Sequence, residues 1–226
     1  MKENFKVETH LHTKHVSKCG RMDAKEIVDA YKEAGYSLLC VTDHYSRITF
    51  DHLGIDLYDP KIDKLGPFLD GFRKVRDEAQ KVGITVIRGA EVRFDECDND
   101  YLVFGWFDNL LSDPARVFEM GIVEFARKAR EAGALIIQAH PYRKSCTPAI
   151  AKYIDGVEIA NRNPRHDSRN ELAVQYAEEY GLIGTCGSDC HQPEDVALGG
   201  IVIHSMPKDA INFARTIKSR HFEIIA

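Results

Sequence analysis

The 226-residue sequence lacks the features that mark membrane and secreted proteins. No uninterrupted apolar run approaches the roughly 20 residues that span a bilayer, and the first residues contain no apolar stretch typical of a signal peptide. The six cysteines form neither a C-x-x-C pair nor a dense framework, which is the pattern of reduced thiols inside a cell. We therefore expect a cytoplasmic protein without a membrane partner.

Motifs for nucleotide and serine chemistry are also missing, as is a basic stripe. The sequence contains no Walker A loop, no G-x-G-x-x-G fingerprint and no nucleophile elbow. The formal net charge is −5, and basic residues are scattered among acidic ones, so duplex nucleic acid is not the expected partner. No sequence feature indicates the oligomeric state.

Strand-like and helical segments alternate along the whole chain. After two strands near the start, apolar runs predict strands over 84–94, 101–107, 134–139, 156–160, 182–186 and 200–204. A helix that opens at Asp113-Pro114 is expected to break near Gly121, and the Asp- and Gly-rich stretch 45–66 is a candidate substrate loop. No linker divides the chain, so we expect one domain, 1–226, with a mostly parallel sheet.

Side chains that can bind metal recur where the apolar runs end. They are His10, His12, His44, Glu91, His140, Asp189 and His191. The C-terminal ends of parallel barrel strands share one face, where barrel enzymes keep their active sites. Burying charged or imidazole groups without partners is costly, so packing alone is a poor explanation and a metal site is favoured.

Four of these residues form two pairs, and in each pair one residue separates the two. On a strand, His10-x-His12 and Asp189-x-His191 each project both side chains from the same side. Imidazoles and carboxylates suit Zn, Mn, Fe or Co, and Glu91 can bridge two ions. Such ions make hydroxide from bound water and clamp the oxygens of a phosphoryl transfer, so hydrolysis is favoured over redox chemistry.

Two cysteines near these motifs are not favoured as ligands. Cys190 lies between Asp189 and His191, so on a strand its side chain points away from both. Cys19 lies in a loop, and the sequence does not set its direction.

Five ordered motifs resemble those of the polymerase and histidinol phosphatase (PHP) superfamily over nearly the whole chain. They are Thr9-His10-Leu11-His12-Thr13, Val41-Thr42-Asp43-His44, Gly89-Ala90-Glu91, Ala139-His140-Pro141 and Gly187-Ser188-Asp189-Cys190-His191. The resemblance implies an α/β fold, a distorted seven-stranded (β/α) TIM-like barrel. It also implies one to three divalent transition metal ions (Zn, Mn or Fe) and hydrolysis of phosphate esters.

The resemblance also implies roles for single residues. One ion is expected on His10, His12, Glu91 and Asp189, a second on His44 and His191, and a third on Glu91 and His140. The catalytic set carried over is His10, His12, Glu91, Asp189 and His191. Asp43 is expected to orient these ligands instead of binding metal itself.

The chain departs from the family pattern at two positions. Where many relatives have a His or Asp on the loop after the first motif, an ungapped alignment gives Lys18, although His15 can take that place if the loop folds differently. Where trinuclear relatives have a His after the fourth strand, this chain has Phe107. One or two ions are therefore as fair an expectation as three, and Lys18 becomes a candidate contact for substrate phosphate.

Arg143 and Arg162 follow two of the predicted strands and are candidates to hold phosphate oxygens bidentately. For each the alternative is a solvated or ion-paired surface arginine. Together these features predict a phosphomonoesterase that hydrolyses a small phosphorylated substrate through metal-activated hydroxide. The alternatives left open are a catalytically silent PHP metal-binding module, a PHP nuclease or protein tyrosine phosphatase, and a non-phosphate metallohydrolase of the amidohydrolase kind.

Overall fold

The computed structural model describes residues 4–106 and 108–226, so Phe107 lies outside the described residues. The strands are β1 (Phe5–Leu11), β2 (Tyr36–Val41), β3 (His44–Tyr45), β4 (Thr85–Arg93), β5 (Asp100–Phe104), β6 (Leu135–Gln138), β7 (Gly156–Asn161), β8 (Ile183–Gly187), β9 (Gly200–Ile203) and β10 (Phe222–Ile225). The α-helices are α1 (Ala24–Glu33), α2 (Arg47–His52), α3 (Leu65–Phe68), α4 (Asp70–Gln80), α5 (Pro114–Glu131), α6 (Asn170–Tyr180) and α7 (Ala210–Lys218).

One sheet, curled into a nearly closed barrel, carries these strands. Its order is β10-β9-β1-β2-β4-β5-β6-β7-β8, with β3 paired to β4. The ring closes where the backbone N–H of His12 donates to the carbonyl of Cys190, 2.9 Å away, beside a parallel bridge from Leu11 to Cys190. Strands β1, β2 and β4 to β8 thus form the seven-stranded barrel that the sequence predicted.

Strand β5 runs against its neighbours, which the sequence did not indicate. It pairs antiparallel with both β4 and β6, and Arg93 lies opposite Asp100. Only six residues connect β4 to β5, whereas a parallel neighbour needs a crossover of a dozen or more. The start of β5 therefore lies at the same end of the barrel as the C-terminal ends of the parallel strands. Strand β10 was likewise not predicted and extends the sheet beyond β9.

The apolar core of the barrel lies at the opposite end, which α7 covers. Phe213 and Ile217 of α7 pack with Leu38, Ile137 and other residues from the N-terminal parts of the strands. Phe213 is fully buried and meets Phe104 edge to face, with ring centroids 5.3 Å apart. Full burial of such a side chain stabilises the fold by about 1.5–3 kcal/mol. The fold thus leaves the other barrel end free for polar side chains.

Two local predictions can be compared directly with the structure. Helix α5 changes direction at Gly121, whose φ of 67° lies in the left-handed region, as the sequence predicted. The stretch 45–66 is not an open loop, because it contains α2 and contributes buried Tyr45 and Phe50 to a core cluster. Among the described residues, no helix has both the length and the apolarity that crossing a membrane requires.

Candidate metal centre

A bulge in β1 aims the first two histidines into the barrel. Glu8 lies opposite Leu39 and Leu11 opposite Val41, so β1 contains one residue more than β2 across this interval. Glu8 faces outward, where its Oε2 accepts a 2.7 Å hydrogen bond from Tyr31 Oη. Without the extra residue, simple alternation would put Glu8 on the same side as His10 and His12.

Glu91, at the end of β4, lies at the centre of the imidazoles. Its Oε1 is 3.2 Å from His10 Nε2 and 3.3 Å from His140 Nε2. Its Oε2 is 2.6 Å from His44 Nδ1 and 3.4 Å from His12 Nε2. Both Glu91 oxygens, with Nε2 of His10 and of His12, are buried and lack a hydrogen-bond partner within the described residues. Ions placed between these atoms would satisfy them, so the site fits bound metal.

Asp189 completes the group after β8. Its Oδ1 is 3.4 Å from Nε2 of both His10 and His12, and its Oδ2 accepts a 2.8 Å hydrogen bond from Arg143 Nη2. We call the following seven residues the ligand cluster: His10, His12, His44, Glu91, His140, Asp189 and His191. The structure thus brings together the seven residues that the sequence predicted as ligands at the strand ends.

Three sets of side chains have ligand atoms close enough to share an ion. They are His10 with His12 and Asp189, His12 with His44 and His191, and His44 with Glu91 and Asp100. Within each set the ligand atoms lie within 4.8 Å of one another. His12 therefore stands between two candidate ion positions, whereas the family resemblance assigned it to the first alone.

Hydrogen bonds from the far side of the rings set the tautomers of two histidines. His10 Nδ1 lies 3.0 Å from Oε1 of Glu158, and His191 Nδ1 lies 2.8 Å from the carbonyl of Asp189. A carboxylate and a carbonyl can only accept, so each Nδ1 carries the proton. Once the ring is neutral, its Nε2 therefore offers the lone pair to an ion.

Asp43 acts on His12 through Ser17. Asp43 Oδ1 accepts hydrogen bonds from Ser17 Oγ at 2.7 Å and from the backbone N–H of Thr13 at 2.7 Å. Ser17 Oγ uses its one hydrogen on Asp43, so it accepts from His44 N at 3.0 Å and from His12 Nδ1 at 3.3 Å. His12 is thereby also held with Nε2 free. Burial raises the pKa of Asp43 to about 6 against the hydrogen bonds that lower it.

The electrostatics of the cluster match a site for cations. Burial, together with His191 and His44 nearby, holds the pKa of His12 well below its usual value and leaves the ring neutral. Burial acts to raise the pKa of Glu91, but His44 and His10 outweigh it and the pKa falls well below the usual range. The imidazole of His12 lies 4.2 Å from that of His191 and 4.3 Å from that of His44, measured between ring centroids. An ionised carboxylate surrounded by imidazoles is a donor set that transition metals bind once the rings are neutral.

Two members of the cluster sit on strained backbone. His140 has φ of 29° and Asp189 has φ of 50°, in the left-handed region that non-glycine residues seldom adopt. Such strain costs on the order of 1–3 kcal/mol per residue and concentrates at functional sites. The strain aims both side chains at the cluster from the ends of β6 and β8.

Of the three predicted substrate contacts, one lies beside the ligand cluster and two are exposed to solvent. Arg143 lies beside the cluster, with Nη2 2.9 Å from Asn161 Oδ1, and its buried Nε has no partner within the described residues. Arg162 and Lys18 are solvent-exposed. Their guanidinium and ammonium groups pair with no carboxylate within residues 4–106 and 108–226.

His15 faces away from the cluster, toward α1 and α4. Its Nε2 accepts a 3.4 Å hydrogen bond from Ala24 N, and its Nδ1 is 3.4 Å from Lys74 Nζ. Cys19, on the same loop, is exposed. Burial acts to raise the pKa of its thiol, but His191 and His44 outweigh it and lower the pKa to about 6.

The sequence did not single out Asp100, Glu158 or Ser17 as members of the site. Asp100 starts β5, and only the antiparallel direction of that strand brings it to the cluster, where its Oδ2 is 3.9 Å from His140 Nε2. A buried charge such as Glu158 in an apolar strand is a usable signal, because it needs a partner. Cys190 is buried among apolar residues outside the barrel, as the alternation predicted.

Comparisons with known proteins agree with this geometry. The family model described as the PHP domain matches residues 8–192, and the one described as PHP-associated matches residues 167–221. A comparison with curated proteins finds no match.

Solved structures share the fold at low identity. A two-domain protein from Bacteroides vulgatus, described as containing a predicted PHP-like metal-dependent phosphoesterase, superposes with a TM-score of 0.71 at 18% identity, covering 98% of this chain and 64% of that one. PsfC from Pseudomonas syringae gives 0.67 at 17%, covering 98% and 91%. A lesion-specific endonuclease from Pyrococcus furiosus gives 0.65 at 16%, covering 98% and 58%. The chain thus spans less than two thirds of the first and third of these proteins, and the likeness establishes the fold.

Proposed function

Because this chain belongs to the PHP domain family, we propose that it is a metal-dependent phosphoesterase, and specifically a phosphomonoesterase. The observation that carries the proposal is the position of Glu91. Each of its two oxygens lies between two imidazoles, fully buried and without a hydrogen-bond partner in the described part of the chain. A carboxylate in that position could hold two neighbouring ions, which would suit phosphoryl transfer.

The residues of the chain supply the fixed geometry for this chemistry. Divalent ions, when bound, would activate water and stabilise charge on the attacking and leaving oxygens. Glu158, Ser17 and the Asp189 carbonyl keep the protons of His10, His12 and His191 on Nδ1. Because these rings are held before any ion arrives, no reorganisation is needed at the moment of reaction.

Arg143 is the group best placed to bind the phosphate of a substrate. Its Nη2 donates to Asp189 and Asn161, whereas its buried Nε has no hydrogen-bond partner within the described residues. A guanidinium can hold two oxygens of a phosphate at once. A single such arginine beside the ions suits a small phosphorylated substrate. Arg162 and Lys18 remain proposed outer contacts, since exposed cations attract a dianion without fixing its position.

The donor set supports Zn, Mn or Fe as the metal, with one to three ions per chain. The three overlapping ligand sets share His12 and His44, so the ions would lie close together. This closeness favours a centre that works on one phosphorus atom.

The test compares metal-free protein with protein loaded with Zn²⁺, Mn²⁺ or Fe²⁺. Turnover is measured on a chromogenic phosphomonoester, the matching phosphodiester and a short single-stranded oligonucleotide. We expect metal-dependent hydrolysis that is fastest on the monoester. Faster cleavage of the diester or the oligonucleotide would replace our proposal with a nuclease. Metal bound without any hydrolysis would favour a silent PHP module.

A further inference from the structure

Arg93 and Asp100 form an ion pair at the edge of the ligand cluster. They lie opposite each other on β4 and β5, and Arg93 is two residues beyond Glu91, so both side chains project to the same side of the sheet as Glu91. Nε of Arg93 donates to Oδ1 of Asp100 at 2.8 Å, and Nη2 donates to Oδ2 at 2.5 Å. The guanidinium thus engages both oxygens of this buried carboxylate.

This ion pair borders the place where the family resemblance expects a third ion, on Glu91 and His140. Nε2 of His140 is 3.3 Å from Oε1 of Glu91 and 3.9 Å from Oδ2 of Asp100. Asp100 also belongs, with His44 and Glu91, to one of the three sets whose ligand atoms can share an ion. An ion on Asp100 would therefore have to share this carboxylate with Arg93.

Asp189, the other aspartate in the three sets, meets its arginine in a different way. Its Oδ2 accepts from Nη2 of Arg143 at 2.8 Å, whereas its Oδ1 lies 3.4 Å from Nε2 of both His10 and His12. One oxygen of Asp189 thus faces the arginine and the other faces the imidazoles. Asp189 can bind an ion without giving up its arginine.

The buried polar atoms that lack a hydrogen-bond partner divide in the same way. Within the described residues they include both oxygens of Glu91 and Nε2 of His10 and of His12, but neither oxygen of Asp100. Burying a polar group without a partner is costly, so an ion beside Glu91, His10 and His12 would stabilise the site. Asp100 already has its partner in Arg93.

We propose that the guanidinium of Arg93 takes the place of a third ion, so that the ligand cluster binds at most two ions. The inference rests on the metal-binding part of the proposed function and narrows its number of ions. A guanidinium is always charged. An ion on either oxygen of Asp100 would lie within about 5 Å of a guanidinium nitrogen, because metal–oxygen bonds are about 2.0–2.2 Å long. Two cations so close repel each other, and salt screens this repulsion only weakly in a buried site.

The experiment counts the ions that each chain holds after the 226-residue protein is saturated with Zn²⁺ or with Mn²⁺ and free metal is removed. Mass spectrometry of the metal content provides the count. We expect at most two ions in the wild type and one more in Arg93→Gln, because the amide removes the positive charge and leaves Asp100 to an ion. Arg93→Lys keeps the charge and should keep the wild-type count.

Arg88→Gln is the matched control for the loss of an arginine. Arg88 lies on the same strand, but its Nη1 donates to Asp108, at 2.6 Å, instead of to a residue of the three sets. Its replacement should leave the number of ions unchanged. The double variant Arg93→Gln/Asp100→Asn should lose the ion that Arg93→Gln gains, since the amide of Asn removes the new ligand.

Asp100→Asn by itself keeps the inference testable if circular dichroism shows that Arg93→Gln does not fold. This variant should hold as many ions as the wild type, because Asp100 binds none while Arg93 is present. A wild type that holds three ions, or none of either metal, would overturn the inference. An unchanged count in folded Arg93→Gln or a lost ion in Asp100→Asn would do the same.

Phosphatase assays on the same samples separate this inference from the proposed function. An extra ion in Arg93→Gln, with no hydrolysis by any variant, leaves Arg93 in its role and removes the function. Hydrolysis by a wild type that holds three ions does the reverse.

Discussion

Glu158 Oε1 lies 3.0 Å from Nδ1 of His10, and both side chains are fully buried. The other oxygen of Glu158 accepts hydrogen bonds from the backbone N–H of His140 at 3.1 Å and from Asn161 Nδ2 at 3.0 Å. One carboxylate on β7 therefore sets the tautomer of a ligand on β1 and anchors the strained residue after β6. It thereby positions two members of the ligand cluster.

Replacing Glu158 by Gln should weaken metal binding while preserving the fold. The amide can offer a donor where His10 now meets an acceptor, so the ring loses its preference for a proton on Nδ1. Outer-shell changes of this kind typically cost about 10–100-fold in metal affinity. Zinc affinity, measured by competition with a chromogenic chelator, checks this expectation. Glu131→Gln, at an exposed glutamate, is the control, and equal affinities in the two variants would contradict the proposed role.

Glu91→Gln should remove at least one ion and lower turnover more than the roughly 100-fold expected of outer-shell changes. The amide keeps the size of the side chain but loses the charge and one of the two acceptor oxygens. Glu91→Asp retains the charge but withdraws both oxygens by one methylene, so it tests the bridging geometry separately. Metal content by mass spectrometry and hydrolysis rates are the measurements. Full metal content in Glu91→Gln would show that the carboxylate does not bridge.

Ser17→Ala should lower metal affinity by acting on His12 and His44 together. The variant leaves Asp43 Oδ1 with one partner fewer and frees His12 Nδ1 from its fixed acceptor. The variant also leaves the backbone N–H of His44 without its acceptor. An unsatisfied buried donor costs about 1–3 kcal/mol, so the unfolding midpoint in denaturant should fall. Ser112→Ala is a matched control, since within the described residues the Ser112 side chain bonds only to the nearby Asn109 carbonyl on the surface. A Ser17 variant that behaves like the control would refute the Asp43–Ser17–His12 connection.

Arg143→Ala should lower kcat/KM by roughly 10–100-fold, because hydrogen bonds to charged groups contribute about 1.5–3 kcal/mol. Arg143→Lys should recover only part of the loss, since an ammonium lacks the planar fork of guanidinium. Metal content should remain at the wild-type level in both variants. Steady-state kinetics on a phosphomonoester provide the measurement, with Arg127→Ala on the surface as control. A loss explained wholly by missing metal would remove Arg143 from the substrate site.

Metal uptake should release protons at neutral pH. Burial acts to lower the pKa of His140, but the neighbouring side chains of Cys146 and Glu91 raise it to about 9. Burial likewise opposes protonation of His10, yet Glu158, Asp189 and Glu91 hold its pKa well above the usual value. Both rings are then protonated at pH 7 in the metal-free protein, and ligation requires them to be neutral. Apparent affinity should rise from pH 7 toward pH 9.

The same pKa shifts make the folding stability of the metal-free protein fall as pH rises, whereas metal affinity rises. A histidine pKa raised on folding contributes stability that is complete below about pH 6.5 and is lost as pH rises toward 9. Calorimetric titrations in buffers of different ionisation enthalpy count the protons released, and melting temperatures measured against pH follow the stability. Glu91→Gln should reduce the release, because the charge that raises the histidine pKa values is gone. Metal binding without proton release would contradict this account.

The sequence by itself determined most of the strands and the metal-binding residue types at their ends. Period-two alternation makes His10 and His12 share a side wherever the strand lies, and helix–strand alternation leads to a barrel that gathers distant motifs at one end. These relations depend on local backbone geometry, which neighbouring residues already specify.

The tertiary structure alone decided which outer residues act on the ligands. The direction of β5 brings Asp100 to the cluster, the bulge in β1 turns Glu8 outward, and hydrogen bonds attach the loop after β1 to His44 and His191. Each of these outcomes depends on partners far away in the sequence. The pairing of a strand and the anchoring of a loop depend on contacts that form only when the barrel closes. No local sequence pattern therefore predicts them.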